Sequence, residues 1–179
     1  MRRLWRFGVP ILLLTAVLDR AGALGYRGDD WRRFDRKSVT VSHVISADSF
    51  ETTDHVMVCL LGAVALEKAG VQEQSIHYTR GRIEGRTVLL HLDVPQTRDD
   101  RGRLLAYVYL NESDCLNVDE AREGWAFADR RVDYVMRSTI EMAESEARRK
   151  RRGLWANFNA ADMPAWRVQW LAEQRAHHP

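Results

Sequence analysis

Carboxylates and arginines are the side chains with chemistry to offer in this sequence. Asp93, Asp99 and Asp100 fall in or beside a polar loop, 95–102, that passes through Arg101 to Arg103 and the strand-like stretch LLAYVY. Asp48 lies at a turn between two extended stretches, and Glu67 opens a helical one. Carboxylates can hold a hard cation or accept a proton, and guanidinium forks stabilise charge on phosphoryl oxygens. Each of these residues also has a plainer reading. Turn aspartates bond their own backbone, a glutamate in a first helical turn complements the helix dipole, and Arg103 can pair with Asp99 or Asp100 and hold the loop.

The other reactive types offer less. His43, His55, His77 and His91 lack metal-ligand spacing, and His177-His178 end the chain. Cys59 and Cys115 are too few for a disulfide framework. They read as small buried hydrophobes, with a single bridge as the alternative in an oxidising compartment. The run Arg148–Arg152 reads as a solvated helix end.

The elements that must position these groups belong to one ordinary core, since the chain has 179 residues of which 45% are apolar. Residues 1–23 resemble an export signal: Arg2, Arg3 and Arg6, then the uncharged run Phe7–Leu18, then Ala21-Gly22-Ala23 as a small-x-small cleavage site. Asp19-Arg20 before that site leaves an uncleaved anchor as the alternative. The segment holds four of the 27 basic and one of the 25 acidic residues, so the rest carries 23 against 24 and a net charge of −1. Composition therefore supplies no global attraction to nucleic acid.

Residues 24–37 are dense in charge without a period and read as a linker. Alternation of Val39, Val41, His43 and Ile45 predicts a half-buried strand, followed by extended stretches at Phe50–Leu61, 86–92 and 103–110. Helices are expected at 67–83, 116–125 and 134–152, the last stopped by Gly153. A closing amphipathic tail at 158–179 carries Trp166 and Trp170, which read as cover for an exposed barrel face. Several short strands with helices to one side suit a closed barrel.

In order, Val44–Phe50 (VISADSF), Val58–Glu67 (VCLLGAVALE), Asp93–Tyr109 (DVPQTRDDRGRLLAYVY), Leu116-Asn117, Glu123–Ala126 (EGWA), Glu146-Ala147 and Gly153–Trp155 (GLW) resemble the thermonuclease, or staphylococcal nuclease-like, family. That resemblance spans 38–157 and implies a mainly β, α+β fold: a five-stranded OB barrel with packed helices. It also implies a phosphodiester hydrolase that uses Ca²⁺, two arginines and a glutamate.

Carried over by position, Asp48 matches a metal-ligating aspartate, Glu67 the proposed base and Arg103 an arginine that faces the phosphate. Four positions depart from the pattern. Ser46 replaces the first aspartate, Cys59 an arginine, Val64 the second metal-ligating aspartate and Leu66 a proline. Arg101 stands where an aromatic that stacks on the nucleotide is usual. With two parts missing, the expectation is an exported, catalytically impaired domain that binds single-stranded nucleic acid or a protein through a groove near Arg101, Arg103 and Tyr107, without a cofactor. Two other readings stand beside it. One is an active Ca²⁺-dependent nuclease in which Asp54, Asp99 or Asp100 and Arg101 substitute for the missing parts. The other is a structural domain of the envelope with no role in nucleic-acid binding. Residues 1–23, if uncleaved, would be the only contact with a membrane.

Overall fold

A computed structural model of the protein describes residues 28–66, 70–93 and 97–177. The signal-like segment 1–23 and Glu67 lie outside the described residues. Strand β1 (Lys37–Ser46) buries Val41 and Val44 and shifts register between Val41 and His43 and again between Val44 and Ser46. Such irregularities bend a strand, and here they let β1 serve two neighbours. Its first half pairs with β5 (Thr87–His91), and its second half with β2 (Ser49–Thr52). Strand β2 pairs with β3 (Met57–Leu60), and β3 runs parallel to β6 (Leu104–Tyr109), which returns to β5. The result is a closed barrel in the order β1-β2-β3-β6-β5, the five-stranded barrel expected. Phe50, Val58, Leu90, Leu104 and Val108 fill it.

The charged stretch expected to be a linker is instead partly a helix, α1 (Gly28–Phe34). Trp31 and Phe34 pack on the barrel core. Asp30 is buried and takes two hydrogen bonds of 2.8 Å from the Arg98 guanidinium and one of 3.1 Å from Thr97 Oγ1. The partner that neutralises Asp30 is 68 residues away, so no local pattern in 24–37 announces it.

Helix α2 (Val71–Ile83) follows the barrel's first half, and α3 (Leu116–Arg122) its second. The buried Asn117 amide fixes α3. Its Nδ2 donates to Leu61 O and Ala106 O, and its Oδ1 accepts from Val108 N–H. Helix α3 ends sooner than expected, because the chain turns at Gly124 (φ 79°) into β7 (Ala126–Ala128), which pairs with β4 (Ala63–Ala65). These two three-residue, alanine-rich strands are too short to alternate visibly.

Helix α4 (Arg137–Lys150) buries Ile140, Ala143 and Ala147 as its spacing implies. It is terminated by Arg151 in the left-handed region (φ 53°), not by Gly153. Gly153 serves a different need: a Cβ there would stand 2.5 Å from Glu123 O, so only glycine lets this turn touch the end of α3. Helix α5 (Ala165–His177) closes the described chain, with Trp166 packed edge to face on Phe127.

Candidate functional site

The β1–β2 turn, strand β3, the β3–β4 connection, the 97–103 loop and the segment after β7 converge on one cleft of about 580 Å³. Asp48 and Arg103 both line it, as expected for them. Cys59 and Val64, which stand where an arginine and an aspartate were expected, line it too. Sequence reasoning missed Asp129, Arg131 and Asp133, which follow β7 and form a wall of the same cleft. Their one sequence signal is the abrupt charge of Asp129–Asp133 (DRRVD) after the apolar stretch WAFA.

Asp48 and Arg103 are each committed to a structural bond. Asp48 Oδ1 accepts from Ser46 Oγ at 2.5 Å and Oδ2 from the Ala65 N–H at 2.9 Å, which ties the β1–β2 turn to β4. The second bond crosses to another strand, so Asp48 does more than close its own turn. Arg103 Nε donates to Asp99 Oδ2 at 2.7 Å, while Asp99 Oδ1 accepts from the N–H groups of Arg101 and Arg103. Holding the loop is thus what Arg103 and Asp99 do together.

Arg101 is exposed and is not among the residues lining the cleft. Tyr107, expected beside the groove, does not line the cleft. It is 5% exposed, its hydroxyl donates to Asp93 Oδ2 at 2.6 Å and accepts from the Met136 N–H, and its ring packs among Leu61, Val118 and Ile140. Burial, and then Asp93, push its phenol well above the ordinary value. Strand alternation sends Leu104, Ala106 and Val108 into the barrel, so Tyr107 points outward, where α3 and α4 cover it. Asp54, considered as a substitute ligand, is exposed in the β2–β3 turn and does not line the cleft.

Six aspartates line the cleft (Asp48, Asp93, Asp99, Asp100, Asp129 and Asp133) against two arginines, Arg103 and Arg131. Arg131 turns back on its own segment: Nε donates to Asp129 Oδ1 at 2.9 Å and Nη2 to Asp129 Oδ2 at 2.8 Å. Both cysteines are buried and free, so there is no Cys59–Cys115 bridge. Burial first, then the Asp48 carboxylate, push the Cys59 thiol up to about 12. At neutral pH it is a protonated, small uncharged surface.

The fold and the cleft define an OB-type barrel with helices on one side and a polar groove across β3, where such barrels hold ligands. A family model described as "Staphylococcal nuclease homologue" matches residues 58–157. Over 86 residues the chain is 31% identical to a thermonuclease of Staphylococcus hyicus, which covers 48% of this chain and 50% of that protein. The chain belongs to the staphylococcal nuclease family. It spans about half the length of the curated relative it matches.

The donor set does not fit the Ca²⁺ ion that family resemblance implies. Ca²⁺ takes six to eight oxygens, several from carboxylates. Val64 brings no side-chain oxygen, so Asp48 is the one carboxylate left of the position-matched pair, and both Asp129 oxygens are ion-paired with Arg131. Among the described residues, no group of three or more His, Cys, Asp or Glu side chains is arranged to hold a metal ion.

Proposed function

We propose that this chain is an exported binding module built on the thermonuclease barrel, with metal-dependent phosphodiester hydrolysis severely impaired. The observation that carries the reading is the commitment of the cleft's polar atoms. Asp48, Asp99 and the Asp129–Arg131 pair bond to their own scaffold, Arg103 is tied to Asp99 through Nε, and a thiol and a valine occupy the positions of an arginine and a metal ligand. Loss of one charge-stabilising donor costs about 2.7–4 kcal/mol, or roughly a hundredfold to a thousandfold in rate. The missing carboxylate acts on the same site, so the two losses need not add. The excess of aspartates over arginines opposes an unscreened phosphate chain in the cleft. A protein partner is therefore favoured over single-stranded nucleic acid.

The basic and apolar pattern of residues 1–23 supports export. Among the described residues no helix is long and apolar enough to cross a membrane.

The test is to incubate the purified chain with single-stranded DNA or RNA and Ca²⁺, then with a chelator. No chelator-sensitive cleavage is expected. A specific observation favours the rival nuclease reading: Arg131 and Asp129 bring a guanidinium and a carboxylate into the cleft that the usual pattern did not predict. Chelator-sensitive cleavage, lost in Arg103→Ala and in Arg131→Ala, would establish that rival and sink the binding-module reading.

A further inference from the structure

Residues 158–177 follow the stretch that the family model matches, and the sequence presents them as a tail. Their contacts give them a different role. One face of helix α5 grips the segment that forms the wall of the cleft. The Arg131 guanidinium lies over the Trp166 ring, 4.5 Å from its centroid, and Arg130 lies over Trp170 at 5.4 Å. Arg167 lies over the Phe127 ring at 5.4 Å, and its Nη1 donates to Glu144 Oε2 at 2.8 Å, the oxygen that also accepts the Ala128 N–H. Trp166 meets Phe127 edge to face.

Arg131 is therefore held from two sides, by the Asp129 carboxylate and by an indole face. Each contact restricts its rotamers, and both depend on the course of the chain after β7. Charge on the guanidinium favours the ring's negative face, and the buried ion pair beneath it fixes where α5 sits.

We infer that Trp166 and Arg167 are positioning residues for the cleft: they hold the segment 129–133 so that Asp129 and Arg131 form its wall and shut Cys59 in. The inference rests on the reading of this cleft as the binding site, but its consequence can be measured without any ligand. Cys59 lines the cleft together with Asp129 and Arg131 and is 6% exposed. If the wall swings out, this thiol becomes accessible while the barrel stays folded.

The experiment measures labelling of Cys59 by a small aromatic disulfide reagent in a Cys115→Ala background, without denaturant and at low urea. Trp166→Ala should speed labelling at least tenfold, with a rate that does not rise with low urea, as local opening requires. Trp166→Leu keeps apolar cover over Phe127 while removing the ring beneath Arg131, and should give a smaller acceleration in the same direction. Val168→Ala, on the exposed face of α5, should leave the rate unchanged. Labelling of Cys115 in a Cys59→Ala background reports opening elsewhere and should not respond to Trp166→Leu. Equal acceleration of both cysteines would reduce the role of α5 to general stability, and no acceleration of Cys59 in either Trp166 variant would overturn the inference. A cleft that binds no partner would refute the binding-module reading while leaving the labelling result intact.

Discussion

Replacing Arg167 by methionine should destabilise the whole domain, not merely fray its last helix. Arg167 and Glu144 side chains are 3% and 1% exposed and meet at 2.8 Å. Without the guanidinium, Glu144 keeps the Ala128 N–H at 3.0 Å, while its Oε1 has no hydrogen-bond partner and only Arg148, at 3.9 Å, as a distant cation. Removing one member of a buried pair leaves an uncompensated charge and costs about 3–5 kcal/mol. At roughly 2–4 °C per kcal/mol for a chain of this size, the midpoint of thermal unfolding should fall by about 6–20 °C. Urea unfolding followed by far-UV circular dichroism and by tryptophan fluorescence supplies the free energy and shows whether the probes coincide. Adding Glu144→Gln to Arg167→Met should recover much of the loss, since the second change removes the stranded charge. A cost below about 1 kcal/mol for Arg167→Met would refute the reasoning, as would a separate early transition of α5 with the barrel unaffected. Either result would mean that water reaches Glu144 without disturbing the core.

Two further outcomes are expected. Glu120 is fully buried, and desolvation holds its carboxyl well above the ordinary value. Thr79 Oγ1 lies 2.7 Å from Glu120 Oε1 and 2.9 Å from Ser75 O, and its single hydrogen can serve only one of them. A protonated Glu120 supplies the other hydrogen. Because the folded state keeps this proton above the pH at which the unfolded chain releases it, Glu120 costs nothing in acid and increasingly destabilises the fold as pH rises from about 4.5. Glu120→Gln should therefore gain stability over the parent at pH 8 relative to pH 4 in urea titrations, and a gap independent of pH would contradict this. Gly124→Ala should cost more than the backbone penalty of about 1–2 kcal/mol, because φ is 79° and the new Cβ would also stand 2.4 Å from the Arg152 carbonyl oxygen. Gly70→Ala, with φ 85° but open space around it, should cost only the backbone penalty of about 1–2 kcal/mol, and parallel denaturation curves compare the two.

The barrel strands were legible because alternation survives wherever one face is buried. Val41 points inward as alternation implies, but the register shift after it turns Val44 inward in place of His43 and Ile45, which are exposed; Leu104, Ala106 and Val108 follow the two-residue period. The small strands β4 and β7 were not legible, since three alanine-rich residues carry neither period nor propensity. Asp99 and Arg103 are four residues apart, and their pairing was foreseeable as one of two readings. Tyr107 was misread because alternation says only that it faces away from the barrel interior. Whether solvent, nucleic acid or two helices lie beyond that face is a matter of packing.

By itself the sequence determined the barrel, the positions of its strands and the loss of two expected side chains at Cys59 and Val64. The strands are local facts written in periodicity, while the barrel's five-stranded closure and the losses at Cys59 and Val64 were read from the resemblance to the thermonuclease-like pattern. Only the tertiary structure decided what the cleft contains, because Asp48, Asp99 and Arg131 come from segments 51 and then 32 residues apart in the chain. It also turned a charged linker into a packed helix through Asp30 and Arg98, and a tail into a support for the cleft through Arg167 and Glu144. Buried charges show their meaning only beside their partners, and here each partner lies tens of residues away.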